Sequence, residues 1–261
     1  MGIKRWGPAL LLGAAVGFTP SNAVAQEEEV KTAAFTADFG FVSSAGNTNV
    51  TTFSVGDKLM LNTVDKRLIF TQEFAAVRSE ADGVKNAENY LTRFRLDRGL
   101  GSHFYAFAMA GWERNVPGGI ARRFEETVGL AWKAIERPAD QLSLEVGLSF
   151  FQQRNVDAPP GESAADDYTA GRVAGHYRHA FTPTTFFVQA LELIPNFDTT
   201  QDFRLNTETA VIAPISSHLG VKLSYVIRYD HLPNLLPEPN PNLTRLKKTD
   251  RYLTAGLTIS Y

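Results

Sequence analysis

From Ala33 onward the chain alternates apolar positions with polar or small ones at a period of two, the signature of strands with two different faces. "AAFTADFGFVSS" puts Phe35, Ala37, Phe39 and Phe41 on one face, "VTTFSVGDKLML" Phe53, Val55, Leu59 and Leu61, and "RLIFTQEFAAVR" Leu68, Phe70, Phe74 and Ala76. "AENYLTRFRLDR" sets Tyr90, Thr92, Phe94 and Leu96 against Arg93, Arg95 and Asp97, and "RRFEETVGLAWKA" sets Phe124, Val128, Leu130 and Trp132 against Arg123, Glu125, Thr127 and Lys133. The cleanest pattern is "QLSLEVGLSFFQQ", with Leu142, Leu144, Val146, Leu148 and Phe150 in step. "DFRLNTETAVIA" opposes Phe203, Leu205, Val211 and Ala213 to Arg204, Asn206 and Glu208. "HLGVKLSYVIRYD" opposes Leu219 through Tyr229 at every second position to Lys222, Ser224 and Arg228. "SHFYAFAMAGWER" is apolar on both faces, so its orientation stays open, and "DYTAGRVAGHYRHA" and "TFFVQALELI" are weakly patterned. With the terminal "RYLTAGLTISY" the count is about twelve strands, without a helical period.

The connections alternate too. "NTVDK", "GLGS", "ERPAD", "FTPTT" and "PISS" are short, whereas the intervening set, including "SEADGVKN", "NVDAPPGESAAD" and "HLPNLLPEPNPNLTRLKK", is mostly longer. An up-and-down barrel whose two ends face different compartments gives this alternation. About eight strands already enclose an interior that side chains fill; twelve make a wider one. The faces opposite the apolar set carry Arg93, Arg95, Arg123, Glu125, Arg204, Glu208, Lys222 and Arg228. These groups suit a wet lumen and are costly against lipid, so the apolar set is expected to point outward. Aromatic residues near strand ends (Phe35, Phe74, Tyr90, Trp112, Phe124, Trp132, Phe150, Phe203, Tyr229) then read as interfacial girdles. The expected fold is all-β, a transmembrane antiparallel barrel over residues 33–261. The competing reading is a soluble periplasmic β-sandwich that binds a ligand.

Composition narrows the rest. The content is 44% hydrophobic and 21% charged, as in ordinary folded chains, which argues against disorder. A net charge of −2 offers no electrostatic footprint for nucleic acid. The absence of cysteine removes disulfides, thiolate metal sites and thiol nucleophiles together. At the N-terminus, Lys4 and Arg5 precede a short apolar run from Ala9 to Phe18, and small residues at Ala23 and Ala25 complete an A-x-A site. We read residues 1–25 as a secretory signal cleaved between Ala25 and Gln26, followed by an acidic periplasmic stub over residues 26–32.

"ADFGFVSSAGNTNVTTFSVGDKL", with Gly46, Asn47 and Thr48 at its first turn, resembles the family called domain of unknown function 481. Its members are often labelled salt-induced outer-membrane proteins. The resemblance covers the barrel and is most specific at those three residues. It implies the outer membrane of a Gram-negative bacterium. Lipid, lipopolysaccharide and the barrel-assembly machinery are the partners expected of such a barrel. The resemblance supplies no catalytic residues, cofactor or metal. "LTAGLTISY" also resembles the terminal strand that such machinery reads, with Leu257, Ile259 and Tyr261 as the signal.

Candidate chemistry is sparse. Gly46-Asn47 most simply supplies the positive-φ positions of a hairpin. His176 and His179 are three apart, so on a strand they face opposite sides and cannot share a metal. A lipid-hydrolysing barrel would need a serine beside a histidine on a strand, and only Ser217-His218 comes near, at a short turn. A rim hydrolase could draw on Asp166, Asp167, Asp230 and His231, although Asp230 and His231 are adjacent and so point oppositely. The loop "HLPNLLPEPNPNLTRLKK" is readable as a lid over the mouth or as a lipopolysaccharide contact through Arg245, Lys247 and Lys248. The favoured function is a non-enzymatic envelope protein, structural or a narrow passive pore.

Two outcomes follow from the pattern. Deleting Tyr261 is expected to lower the amount of folded, heat-modifiable barrel in the outer membrane, and full-level insertion would contradict the assembly reading. An epitope tag after Gly161 should be labelled on intact cells and one after Pro138 should not; the reverse labelling would overturn the strand count.

Overall fold

The computed structural model describes residues 33–44, 50–63, 67–81, 84–156, 163–216, 218–235 and 244–260. The expected signal segment and stub, Gly46-Asn47-Thr48 and Tyr261 lie outside them. The described residues form twelve strands: β1 Ala33–Ser44, β2 Val50–Asn62, β3 Leu68–Ala81, β4 Val84–Gly99, β5 Phe104–Asn115, β6 Ile120–Glu136, β7 Asp140–Asn155, β8 Ala165–Ala180, β9 Phe186–Pro195, β10 Phe203–Pro214, β11 Leu219–Asp230 and β12 Thr249–Ser260. Each pairs antiparallel with its sequence neighbours, and β12 returns to β1, so the sheet is a closed barrel. No described helix is long and apolar enough to cross a membrane.

The packing is inside out relative to a soluble protein. Val128, Leu130 and Trp132 on β6, Leu144, Val146 and Leu148 on β7, and Leu223 and Tyr225 on β11 are exposed on the outer surface. Glu73, Arg123, Glu125, Glu145, Arg172, Glu192, Glu208 and Lys222 are buried in the interior. With no water to solvate an open edge, strands cross lipid only when every ladder closes, and the outer side chains must be apolar. The chain is therefore an outer-membrane-type transmembrane β-barrel. β5, whose orientation the pattern left open, turns Phe107 and Met109 inward.

A few outer positions depart from this rule. Ser54 and Lys58 point inward on β2, so alternation places Asp57 between them on the lipid side, opposite Ala37 and Phe74. On β9 and β10, Gln189 donates to Thr207 Oγ1 at 2.8 Å and accepts from Thr209 Oγ1 at 2.7 Å, so these outer polar groups satisfy one another. Phe74 lies in mid-strand on β3 and so is not part of an end girdle.

The connections differ from expectation at one place. The turn expected around Ser79–Asn86 is mostly strand, because a register shift between Ser79 and Glu80 lets the β3–β4 hairpin continue to Ala81 and Val84. Between β5 and β6, residues Val116–Gly118 form one turn of 3-10 helix, in which Asn115 Oδ1 accepts from the Gly118 amide at 3.0 Å. Gly119 ends it at φ 74°, a left-handed conformation that favours glycine.

The closing junction is unlike the others. Among the described residues, β1 and β12 share the register Thr36↔Ser260 to Phe39↔Leu257, four pairs. The adjacent β11–β12 junction runs continuously from Leu219↔Ile259 to Tyr229↔Thr249. Beyond Phe39, β1 remains paired with β2 as far as Ser44↔Val50 but has no described register with β12.

The outward orientation makes a strong demand on side chains. Val128 lies at the centre of β6 and is 61% exposed. Val128→Arg is expected to lower folding stability in lipid vesicles by about 2–4 kcal/mol. Unchanged denaturant midpoints would contradict an outer lipid-facing belt.

Candidate functional site in the lumen

The inward side chains form a charged interior built from nearly every strand. Glu145 on β7 is its centre. It accepts from Arg172 Nη1 on β8 at 2.6 Å and from Arg95 Nη1 on β4 at 3.0 Å. Arg95 also forks onto Asp97, with Nη2 to Oδ1 at 2.7 Å, and Arg172 Nε donates to Glu192 Oε1 on β9 at 2.7 Å. Asn206 on β10 donates to the other oxygen of Glu192 at 3.0 Å. The Phe107 ring lies beneath the cations, with Arg95 Cζ 4.2 Å and Arg172 Cζ 5.6 Å from its centroid. Arg172 is only 1% exposed, so this half of the lumen is filled.

Toward the end bearing the long connections, a second cluster crosses the barrel. Arg123 donates through Nε to Gln153 at 2.7 Å and lies 3.3 Å from Glu113. The other Glu113 oxygen is 3.6 Å from Arg228 on β11. In the barrel order β5 and β11 lie on opposite walls, so this contact spans the lumen. Arg93 reaches Glu125 at 3.3 Å, and Glu125 also accepts from Thr127 at 3.0 Å. Arg204 stacks over Phe151 at 4.4 Å.

The wall formed by β11, β12, β1 and β2 is thinner. Lys222 is 3.1 Å from Glu208 and 3.9 Å from Asp38, and Lys58 is 3.1 Å from Glu73. Around them Gly40, Ser54, Gly56, Ser224 and Gly256 leave a cavity of about 30 Å³, bounded on the membrane side by Phe39, Val55 and Leu257. That is room for a water molecule.

Above the charged half, the described ends of the β11–β12 connection reach over the mouth. Asn234, in the β11–β12 connection, donates through Nδ2 to the Gly118 carbonyl at 3.1 Å and accepts from Gln153 Nε2 at 3.2 Å. Leu246 N donates to the Asn234 carbonyl at 2.9 Å, and Arg245 Nη1 to the Pro233 carbonyl at 2.8 Å. The described parts of the long loop therefore fold inward as a lid tied to the β5–β6 turn.

The rim acids do not assemble as an acid–base couple. Asp167 points outward and pairs with Arg154 at 2.9 Å, while Asp166 precedes it on the opposite face. Asp230 accepts from the Leu232 amide at 3.1 Å. His231 stacks on Phe203 with ring centroids 5.0 Å apart and hydrogen-bonds the Tyr229 hydroxyl at 2.9 Å. His176 is buried in the lumen, whereas His179 meets Asp140 at 2.8 Å.

All eight lumen charges named from the sequence face inward, and Leu257 lies exposed on the outer face of β12. Sequence reading did not single out Glu113, Glu145, Arg172, Glu192 or Phe107. Glu145 was within reach, because it alternates against the clean Leu144–Val146 face. Arg172 and Glu192 sit on the two weakly patterned strands.

Several known proteins are similar to this chain. It is 25% identical over 185 residues to the uncharacterized protein YdiY of Escherichia coli (strain K12), covering 71% of this chain and 67% of YdiY. Among solved structures, the NanC porin superposes with a TM-score of 0.48 at 7% identity, over 87% of this chain and 97% of that one. The translocator domain of autotransporter NalP from Neisseria meningitidis gives 0.46 at 10% identity, over 88% of this chain and 86% of that one. The family described as "Protein of unknown function, DUF481" matches residues 37–261, nearly the whole barrel, and the chain belongs to that family.

Proposed function

We propose that this chain is a non-enzymatic envelope protein of a Gram-negative outer membrane, reached by export through the periplasm, whose barrel offers a narrow passage instead of an open channel. The observation that carries this reading is the contact of Glu113 on β5 with Arg228 on the opposite wall, at 3.6 Å. Charges held this close across a barrel leave no wide axial path. The lid contact of Asn234 with Gly118 supports the same reading, because it narrows the mouth above. The open room lies off-centre, against the small residues of β11, β12, β1 and β2. Mixed charge along it disfavours strong ion selectivity.

Outer-membrane lipid and lipopolysaccharide are the proposed surroundings, with Lys247, Lys248 and the guanidinium nitrogens of Arg245 not bound to Pro233 offered to phosphate groups at the mouth. The barrel-assembly machinery is the proposed partner during insertion. A rim hydrolase is disfavoured by the opposite faces of Asp166 and Asp167 and by the engagement of His231 with Phe203 and Tyr229.

Single-channel recording in planar bilayers tests the passage. The expected result is small, intermittent current that rises in Glu113→Gln, which weakens the bridge to Arg228. Large, steady conductance in the unaltered protein would overturn the narrow-passage reading. Silence in both proteins would favour a purely structural barrel.

A further inference from the structure

We propose that the barrel opens sideways, at the junction of β1 with β12, and that a single-chain amphiphile passes there between the lumen and the bilayer. Four observations converge on this junction. First, among the described residues it is the shortest in the barrel: four register pairs, against eight at β8–β9 and more at the remaining junctions. Second, its pairing stops at Phe39 and Leu257, so its described ladder covers only the half nearer the chain termini. Third, the cavity lies at the last pairs and is lined from both sides of the wall. Asp38, Ser54, Lys222 and Ser224 face the lumen, whereas Phe39, Val55 and Leu257 face lipid. Fourth, the lid that leaves β11 is tied down over the β5–β6 turn and β7, which narrows the axial exit on the side facing this wall.

The chemistry of the lining selects the passenger. An apolar outer lip backed by a polar inner wall suits a molecule with one acyl chain and a polar head. Phe39 and Leu257 are both 47% exposed to the membrane side. Inside, Asp38 and Lys222 are 3.9 Å apart. Asp38 Oδ1 is buried and finds no hydrogen-bond donor among the described residues. A head group carrying both a donor and an acceptor matches that pair. Gly256 permits the close approach: a Cβ there would stand 3.0 Å from the Phe39 carbonyl oxygen. The outward Asp57, opposite Ala37, places a carboxylate in the lipid belt beside the same junction, where it favours water over tightly packed chains. In the resting state the cavity has room for no more than a water molecule, so passage requires β1 and β12 to part.

This rests on the reading of a lumen narrowed along its axis, but its test does not depend on conductance. The full chain is reconstituted in vesicles containing a lysophospholipid that bears a diazirine on its acyl chain close to the glycerol. After irradiation, labelled residues are mapped by mass spectrometry. The chain has no cysteine, so the seam can be locked by a disulfide in Ala37→Cys/Ile259→Cys, whose positions are directly opposed on β1 and β12. A control lock joins β10 to β11 through Val211→Cys/Leu223→Cys, also directly opposed. We expect labelling of Ser54 and Ser224 in the unaltered protein and in the control. In the oxidised seam variant that labelling should fall at least severalfold and return on reduction. Labelling confined to outward residues, or inward labelling indifferent to the seam lock, would overturn the proposal. Heat-modifiable mobility of each variant, read on the same samples, identifies any that failed to fold; for those, the single Ile259→Cys protein with and without a thiol-reactive bulky maleimide replaces the lock.

Discussion

Unpaired backbone polar groups are costly in lipid, and that constraint shapes most other features of this chain. It requires strands to close on themselves, so β12 must meet β1 although their paired residues lie at the two ends of the barrel sequence. It also sends the apolar side chains outward, since the membrane replaces the core as their solvent. The interior is left to polar and charged groups, which have to satisfy one another or water.

How they do so narrows this lumen. Desolvating an ion pair costs free energy that the attraction recovers only with good geometry and further hydrogen bonds. Glu145 and Glu192 meet that condition through paired contacts from Arg95, Arg172 and Asn206. Glu145 gathers cations from strands three and one positions away around the wall, so the cluster braces the barrel across its section and not merely along neighbouring strands. Aromatic rings at Phe107 and Phe151 fill the space beneath the guanidinium groups, using a face that tolerates cations. The braces concentrate on β4–β9, and the wall formed by β11, β12, β1 and β2 carries fewer and smaller side chains.

The strands were legible in the sequence because period-two alternation is a local property, and the outer face is chemically uniform. "QLSLEVGLSFFQQ" shows this directly. Where both faces are apolar, as around Phe107 and Met109, alternation carries no sign and only the tertiary structure supplies it. The β3–β4 turn was obscured because its charged and small residues fit a projecting hairpin as well as a loop. At the candidate site, the face of each charge follows from its strand register. Its partner does not: the meeting of Glu113 with Arg228 depends on the cross-section of the whole barrel, which no segment encodes alone. The lid was readable only as one of two uses of a long Pro- and Asn-rich loop, because its anchor at Gly118 lies far away in sequence.

That anchor has a consequence for how the molecule forms. Asn234 and Gly118 are 116 residues apart, and closing so long a loop is entropically costly until the intervening hairpins have already paired. The β5–β6 turn, capped by Asn115 and bent at Gly119, is by contrast local and can form early. The lid can therefore dock only onto a wall that is already built, which makes it a late-forming contact, and its presence on the mouth marks a barrel whose curvature is complete.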